Sequence, residues 1–254
     1  MIINKKILTI FVMPLFLAVA CGSSSSDVKK VEVKDNAKTI TQQGASEPDS
    51  SSQNTSNAKA PTKLSLADLV EGKDYEKISP VMQTDAPEGK VEVIELMWLG
   101  CPHCYSLEPA ILKYKKNHPE FIDFKQVPAM LNPSWSKDAN TYYLADILDP
   151  TGEKELITQI FQAIHDQRRN LRNPATLIRL FKQFGYTEEQ VNNVKSSMAY
   201  KAKLKRAQEI GAASQAESVP VVLINGKYRT SVSMAGSEER LFEVIDVLSK
   251  KEHK

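Results

Sequence analysis

Two cysteines lie between a predicted buried strand and a predicted helix, and this feature constrains the fold of the chain more than any other. The apolar run Val91 to Leu99 is rich in β-branched and aromatic residues and is bounded by glycines, which predicts a central strand. The sequence Cys-Pro-His-Cys follows at 101–104, and helical spacing of apolar residues predicts a helix from Cys104 to Asn117. Because two intervening residues let the sulfurs meet across one helical turn, this pattern predicts a reversible disulfide.

The remaining periodicity predicts an α/β fold with a mixed sheet. A second strand is predicted from Phe121 to Val127, so strand, helix and strand form a βαβ unit with parallel strands. The later predicted elements are helices from Ser134 to before Asp149, Glu153 to His165, Asn173 to Gly185 and Thr187 towards Ser214, strands Val219 to Asn225 and Lys227 to Thr230, and a helix from Ser237 to Ser249. The predicted order is βαβ, a helical insertion, then ββα.

Residues 1–20 have the pattern of a secretory signal peptide. Two lysines precede an apolar run, Ile7 to Val19, that is shorter than the about 20 residues needed to cross a bilayer. Residues 18–20 fit an ordinary cleavage site, whereas residues 17–22 resemble the lipobox of bacterial lipoproteins. We favour lipidation of Cys21, because an unpaired thiol is otherwise a liability in an exported protein.

The segment after the signal is expected to connect a membrane anchor to a folded domain. Residues 21–62 contain few aromatic or large aliphatic side chains, which predicts a disordered tether behind the lipidated Cys21. The expected location is the periplasm, and Gly22, where an aspartate often signals inner-membrane retention, favours anchoring in the outer membrane. Cleavage without lipidation would instead give a soluble periplasmic protein. The formal charge of +2 includes the two lysines of the signal, so charge gives the mature chain no reason to bind nucleic acid.

The position of the cysteine pair predicts unequal thiols. Unpaired N–H groups at the helix N-terminus, together with His103, favour the thiolate of Cys101, which we expect to be the exposed and attacked sulfur. Cys104, one turn further, is expected to be shielded and to resolve mixed disulfides. A stabilised thiolate makes the disulfide a stronger oxidant.

Two other chemistries of paired cysteines fit this sequence poorly. Zinc needs about four ligands, and the other histidines, His118, His165 and His253, are scattered along the chain. Haem attachment needs a histidine directly after the second cysteine, where Tyr105 stands. We therefore expect redox chemistry, with no cofactor and no metal.

Two further features are expected to belong to the same site. Glu95 lies in the apolar strand six residues before Cys101, and a buried carboxyl group there could relay the proton of Cys104. Lys125 of the second strand is expected to pair with Glu95; the alternative is that Glu95 faces water at a sheet edge.

A trans proline at Val219-Pro220 is the ordinary expectation, but the thiol motif favours a cis bond that exposes the Val219 backbone to an extended peptide.

Taken together, the motif at 101–105, Glu108, Val219-Pro220 and the turn at 225–228 closely resemble the DsbA-type thiol:disulfide oxidoreductases. The resemblance implies a thioredoxin-like domain of residues 63–132 and 215–254, interrupted by a helical domain of residues 133–214. It also implies an enzyme that introduces disulfides into reduced or unfolded exported proteins and is reoxidised by a DsbB-like, quinone-linked membrane protein.

The resemblance also implies individual residue roles. Cys101 would be the nucleophile, Cys104 the resolving cysteine and His103 the residue that tunes the thiolate, with Pro102 inside the motif. A disulfide isomerase or reductase with the same site is the first alternative function. The second is a tethered peptide-binding chaperone with incidental thiols.

Four other positions receive implied roles. Glu95 and Lys125 would be a buried charged pair, and Glu108 would be a further modulating carboxylate. Val219-Pro220 would be the cis-proline loop that pairs with substrate.

Overall fold

The computed structural model describes residues 64–253, so the predicted signal peptide, Cys21 and the predicted tether lie outside the described residues. The strands are β1 Glu76–Lys77, β2 Val91–Met97, β3 Ile122–Pro128, β4 Val221–Ile224 and β5 Tyr228–Thr230. The α-helices are α1 Pro102–Asn117, α2 Pro133–Leu148, α3 Leu156–His165, α4 Pro174–Gln183, α5 Glu188–Ser196, α6 Met198–Ala213, α7 Val232–Ala235 and α8 Glu238–Glu252. A 3₁₀ helix, Leu66–Asp68, precedes them.

In residues 64–253 the strands form one mixed sheet in the order β1-β5-β4-β2-β3. β2 pairs in parallel with β3 and antiparallel with β4, while β4 and β5 form the predicted antiparallel hairpin. All seven residues of β2 are buried, which agrees with its continuous apolar pattern. The predicted order of βαβ, inserted helices and ββα is therefore confirmed.

The two faces of the sheet pack against different helices. Val91 and Val93 of β2 belong to a core that contains residues of α1 and α8. Ile94 and Leu96 belong to a second core that contains residues of α2 to α6. Because successive strand residues point to opposite faces, β2 connects the two cores and its C-terminal end lies where both converge. The cysteine motif follows directly after that end.

Several features of the fold differ from the prediction, including the start of α3, which was predicted at Glu153 and lies at Leu156. The single helix predicted from Thr187 is divided at Ser197, whose side chain accepts a hydrogen bond from the Tyr200 N–H and caps α6. The edge strand β1 was not predicted, since two residues are too short for a periodic pattern. The helix predicted from Cys104 begins at Pro102, because proline favours the first helical position, where no N–H is needed.

None of the helices between residues 64 and 253 combines the length and the apolar character of a membrane span.

We predict that two glycines with similar backbone conformations respond differently to alanine. Gly226 has φ +64°, and an added Cβ would lie 2.4 Å from the Met82 carbonyl oxygen, whereas Gly152 has φ +71° with nothing within 4 Å. Gly226→Ala should lower the free energy of unfolding by about 3 kcal/mol and Gly152→Ala by about 1 kcal/mol, because the first adds a clash to the shared backbone strain. Urea denaturation measures both values, and equal losses would contradict the argument.

Candidate active site

A tight turn between β2 and α1 places the first cysteine at the start of the helix. Cys101 is the N-cap of α1, and its N–H donates to the Trp98 carbonyl at 2.9 Å, which closes the turn. Gly100 lies beneath the Trp98 indole, where a Cβ would be 2.4 Å from the ring. Glycine at this position therefore lets the turn pack closely against the indole.

The two thiols are free and differ in accessibility and acidity. Cys101 is 7% exposed and Cys104 is 1% exposed. The pKa of Cys101 is lowered to about 6 by a hydrogen bond from the Cys104 thiol, against the effect of burial, with further help from the backbone N–H groups of Cys104 and His103 and from the charge of His103. The prediction that Cys101 is exposed is wrong, because the thiol is buried, although it is more accessible than that of Cys104. The predicted direction of its pKa shift agrees with the structure.

The second thiol has the opposite tendency. Its hydrogen bond to Cys101 and its burial raise the pKa of Cys104, and the charges of Glu95 and Cys101 act in the same direction. Cys104 therefore keeps its proton at neutral pH and donates a hydrogen bond to the Cys101 thiolate. One pair of identical side chains is thus divided into a stabilised thiolate and a donor.

The Val219-Pro220 peptide lies over the Cys101 sulfur and is cis, as predicted. The Cys101 Sγ is 3.6 Å from the Val219 carbonyl oxygen, to which it donates only in the protonated form. This contact covers Cys101 and explains its low exposure. The strand predicted to begin at Val219 begins at Val221, so the Val219 backbone precedes the paired part of β4.

Two buried carboxyl groups share one amide group. Glu95 is 1% exposed and Glu108 is 2% exposed, and the Gln126 Nε2 donates to Glu95 Oε2 at 2.9 Å and to Glu108 Oε2 at 2.8 Å. Burial raises the pKa of Glu95 to about 8, with a contribution from the charge of Glu108, and burial also raises the pKa of Glu108. The predicted burial of Glu95 is confirmed, whereas Gln126 was not predicted because its place depends on strand register.

The predicted pair between Lys125 and Glu95 is wrong. Lys125 is opposite Ile94 in the β2–β3 register, and Gln126 is opposite Glu95. Since successive residues alternate between faces, Lys125 points to the face opposite Glu95. There its Nζ lies 2.8 Å from Glu92 Oε1.

The inserted helices contribute an aromatic and polar frame that was not predicted. The Trp98 indole stacks on Trp135 at 4.7 Å, and its Nε1 donates to Asp138 Oδ2 at 2.7 Å. Asp138 also accepts two hydrogen bonds from the Arg172 guanidinium, at 2.8 and 2.6 Å. These residues come from distant parts of the chain, and no local pattern marks them as neighbours of the cysteines.

A protein-family model described as a DSBA-like thioredoxin domain matches residues 99–244, which is more than half of the chain. The chain belongs to the DSBA-like thioredoxin family. Two DsbA relatives, each named thiol:disulfide interchange protein DsbA, come from Pseudomonas aeruginosa and Azotobacter vinelandii. The first is 30% identical over 73% of this chain and 86% of its own length. The second is 32% identical over 74% of this chain and 87% of its own length.

A solved DsbA structure agrees with this assignment. The crystal structure of Pseudomonas aeruginosa DsbA is similar with a TM-score of 0.69 and 30% identity, covering 74% of this chain and 97% of that one. The predicted thioredoxin-like fold and the enzyme class, thiol:disulfide oxidoreductase, are thereby confirmed.

We predict that Glu95→Gln stabilises the dithiol protein increasingly as pH rises. Burial keeps Glu95 protonated in the folded chain up to about pH 8, whereas Glu95 ionises near pH 4.5 in the unfolded chain. The free energy of unfolding of wild type therefore decreases as pH rises between these values. Glutamine does not ionise. The free energy of unfolding of the variant, relative to that of wild type, should therefore increase by about 2–4 kcal/mol from the low-pH end of this range to the high-pH end. Urea denaturation at both ends measures the gain. The exposed Glu88→Gln is the control, and a pH-independent difference at Glu95 would contradict the prediction.

Proposed function

We propose that this protein is a dithiol oxidase that introduces disulfides into exported proteins through Cys101 and Cys104. The observation that supports this direction of transfer is the set of donors around the Cys101 sulfur, which stabilises the thiolate product of disulfide transfer. A site that favours its own dithiol form tends to pass its disulfide to another protein. The resemblance of residues 101–105 to the family motif supports the same assignment.

The transfer consists of two balanced exchange steps. A substrate thiolate attacks the Cys101 sulfur, a bond forms between them, and the bond from Cys101 to Cys104 breaks with the electron pair on Cys104. A second substrate thiolate then attacks the substrate sulfur of the mixed disulfide, and Cys101 leaves as a thiolate. Two electrons pass from the substrate dithiol to the enzyme dithiol.

We propose that Glu95 exchanges a proton with the resolving cysteine, Cys104. The Cys104 thiolate that leaves when the disulfide opens is strongly basic, because the hydrogen bond to Cys101 and burial raise the pKa of Cys104. Glu95 is protonated at neutral pH and is close enough for its charge to affect both cysteines. It is therefore suited to give a proton to Cys104 when the disulfide opens and to take it back on reoxidation.

We assign substrate pairing to the loop at Val219-Pro220. The Val219 carbonyl oxygen lies 3.6 Å from the Cys101 sulfur, to which the substrate would be bound. An extended peptide bound there would therefore pass beside the Val219 backbone. The proposed substrates are reduced or unfolded exported proteins, which present such extended segments. Reoxidation requires a disulfide donor, and the family resemblance supports a DsbB-like, quinone-linked membrane protein in this role.

Oxidative refolding of a reduced protein with two cysteines tests the proposed activity. Wild type should accelerate disulfide formation, and Cys101→Ser and Cys104→Ser should each abolish the acceleration, because neither variant can form the Cys101–Cys104 disulfide that takes up the two electrons of the substrate dithiol. Undiminished disulfide formation by Cys101→Ser would contradict the oxidase and favour a peptide-binding chaperone. Equilibration with glutathione buffers measures the direction of transfer, and an equilibrium constant close to that of reducing thioredoxins would favour a reductase instead.

We propose periplasmic location and lipid anchoring at Cys21, with residues 21–62 as the tether to the catalytic domain. The supporting observations are the signal-like residues 1–20 and the lipobox-like residues 17–22. Mass spectrometry of the mature protein should find an N-terminal acylated Cys21, and Cys21→Ser should lack the acyl groups. An unmodified mature N-terminus would contradict the anchor and support a soluble periplasmic form, without affecting the proposed chemistry.

A further inference from the structure

The last residue of α3 contacts the turn that leads into the cysteine motif. The Nε2 of His165 lies 2.8 Å from the Leu99 carbonyl oxygen. A carbonyl oxygen only accepts hydrogen bonds, so the Nε2 carries the proton and donates it. His165 comes from the inserted helices, whereas Leu99 is two residues before Cys101.

The same end of α3 also holds the residue directly after the motif. The rings of His165 and Tyr105 are stacked, with centroids 4.8 Å apart and planes at 7°. The Tyr105 hydroxyl donates to Asp166 Oδ2 at 2.6 Å. Two consecutive residues, His165 and Asp166, therefore bind the chain on both sides of residues 101–104.

The turn held by His165 determines where the Cys101 sulfur lies. The turn runs from Trp98 to Cys101 and is closed by a single backbone hydrogen bond of 2.9 Å between these two residues. The donors that stabilise the thiolate belong to the first turn of α1, at residues 103 and 104. Because hydrogen bonds weaken steeply with distance and angle, a small movement of this turn would remove the sulfur from its donors.

We propose that His165 is a positioning residue that keeps the Cys101 sulfur within reach of its donors and thereby maintains the oxidising strength of the site. The hydrogen bond to Leu99 fixes the turn before the motif, and the stack on Tyr105 fixes the start of α1 after it. His165 acts through these two contacts and does not touch the reacting sulfurs. This inference rests on the proposed oxidase function and deepens it.

Two substitutions separate the hydrogen bond from the ring stack. His165→Phe keeps an aromatic ring beside Tyr105 but cannot donate to Leu99, whereas His165→Gln keeps an N–H donor. Alkylation of Cys101 across a range of pH reports the thiolate without any substrate protein, and equilibration with glutathione reports the oxidising strength. We expect His165→Phe to raise the pKa of Cys101 and to shift the equilibrium about three- to tenfold towards the disulfide form, with substantial recovery in His165→Gln.

His118 provides a matched control at the opposite end of α1. Its Nδ1 lies 2.9 Å from the Pro119 carbonyl oxygen, and its ring lies beside Tyr114. His118→Phe removes the same kind of contact far from the cysteines and should leave both readouts at wild-type values.

The outcomes distinguish this inference from the proposed function. Wild-type values for His165→Phe, an equal shift in His118→Phe, or no recovery in His165→Gln would each overturn the positioning role. If wild-type Cys101 itself titrated like an ordinary thiol, the oxidase assignment would fail instead. Loss of thermal stability without a change in the Cys101 pKa would show a structural role and would also overturn the inference.

Discussion

The hydrogen bond from the Cys104 thiol to the Cys101 thiolate is the interaction on which the chemistry of this protein depends. A negative charge on a sulfur that is 7% exposed needs donors, because little water reaches it. The donors are the other thiol and the first N–H groups of α1, so the thiolate exists only where a helix begins beneath it. The buried strand β2 and the closed turn at residues 98–101 determine that place.

The nearby Glu95 carboxyl group complements the thiolate because burial raises its pKa to about 8 and keeps it neutral at pH 7. A lysine between Glu95 and Glu108 would hold both as carboxylates, whose charge would disfavour the Cys101 thiolate. Gln126 instead donates one hydrogen bond to each carboxyl group and adds no charge. Burial therefore decides the protonation state, and Glu95 keeps a proton at neutral pH beside a thiol that must gain and lose one.

Local sequence patterns predict those parts of the structure that depend on neighbouring residues in the chain. The strand before the motif, the helix after it, the hairpin and the burial of Glu95 all follow from periodicity and turn residues within short windows. The partner of Glu95 depends on β2–β3 register, and an error of one residue exchanges Lys125 for Gln126. The division of the long helix at Ser197 depends on the serine side chain, which caps α6 within an otherwise continuous helical pattern.

The positions of Val219 and His165 show why the site needs the whole fold. Each lies far along the chain from Cys101, and each makes a contact that involves a backbone carbonyl: the Val219 carbonyl oxygen lies beside the Cys101 sulfur, and the His165 ring holds the Leu99 carbonyl. Backbone contacts place few demands on the residues of the motif itself. The surrounding helices and loops can therefore change how firmly the turn is held, and with it the stability of the thiolate, while the sequence Cys-Pro-His-Cys stays the same. In this arrangement the motif supplies the chemistry, and the inserted helices adjust its strength.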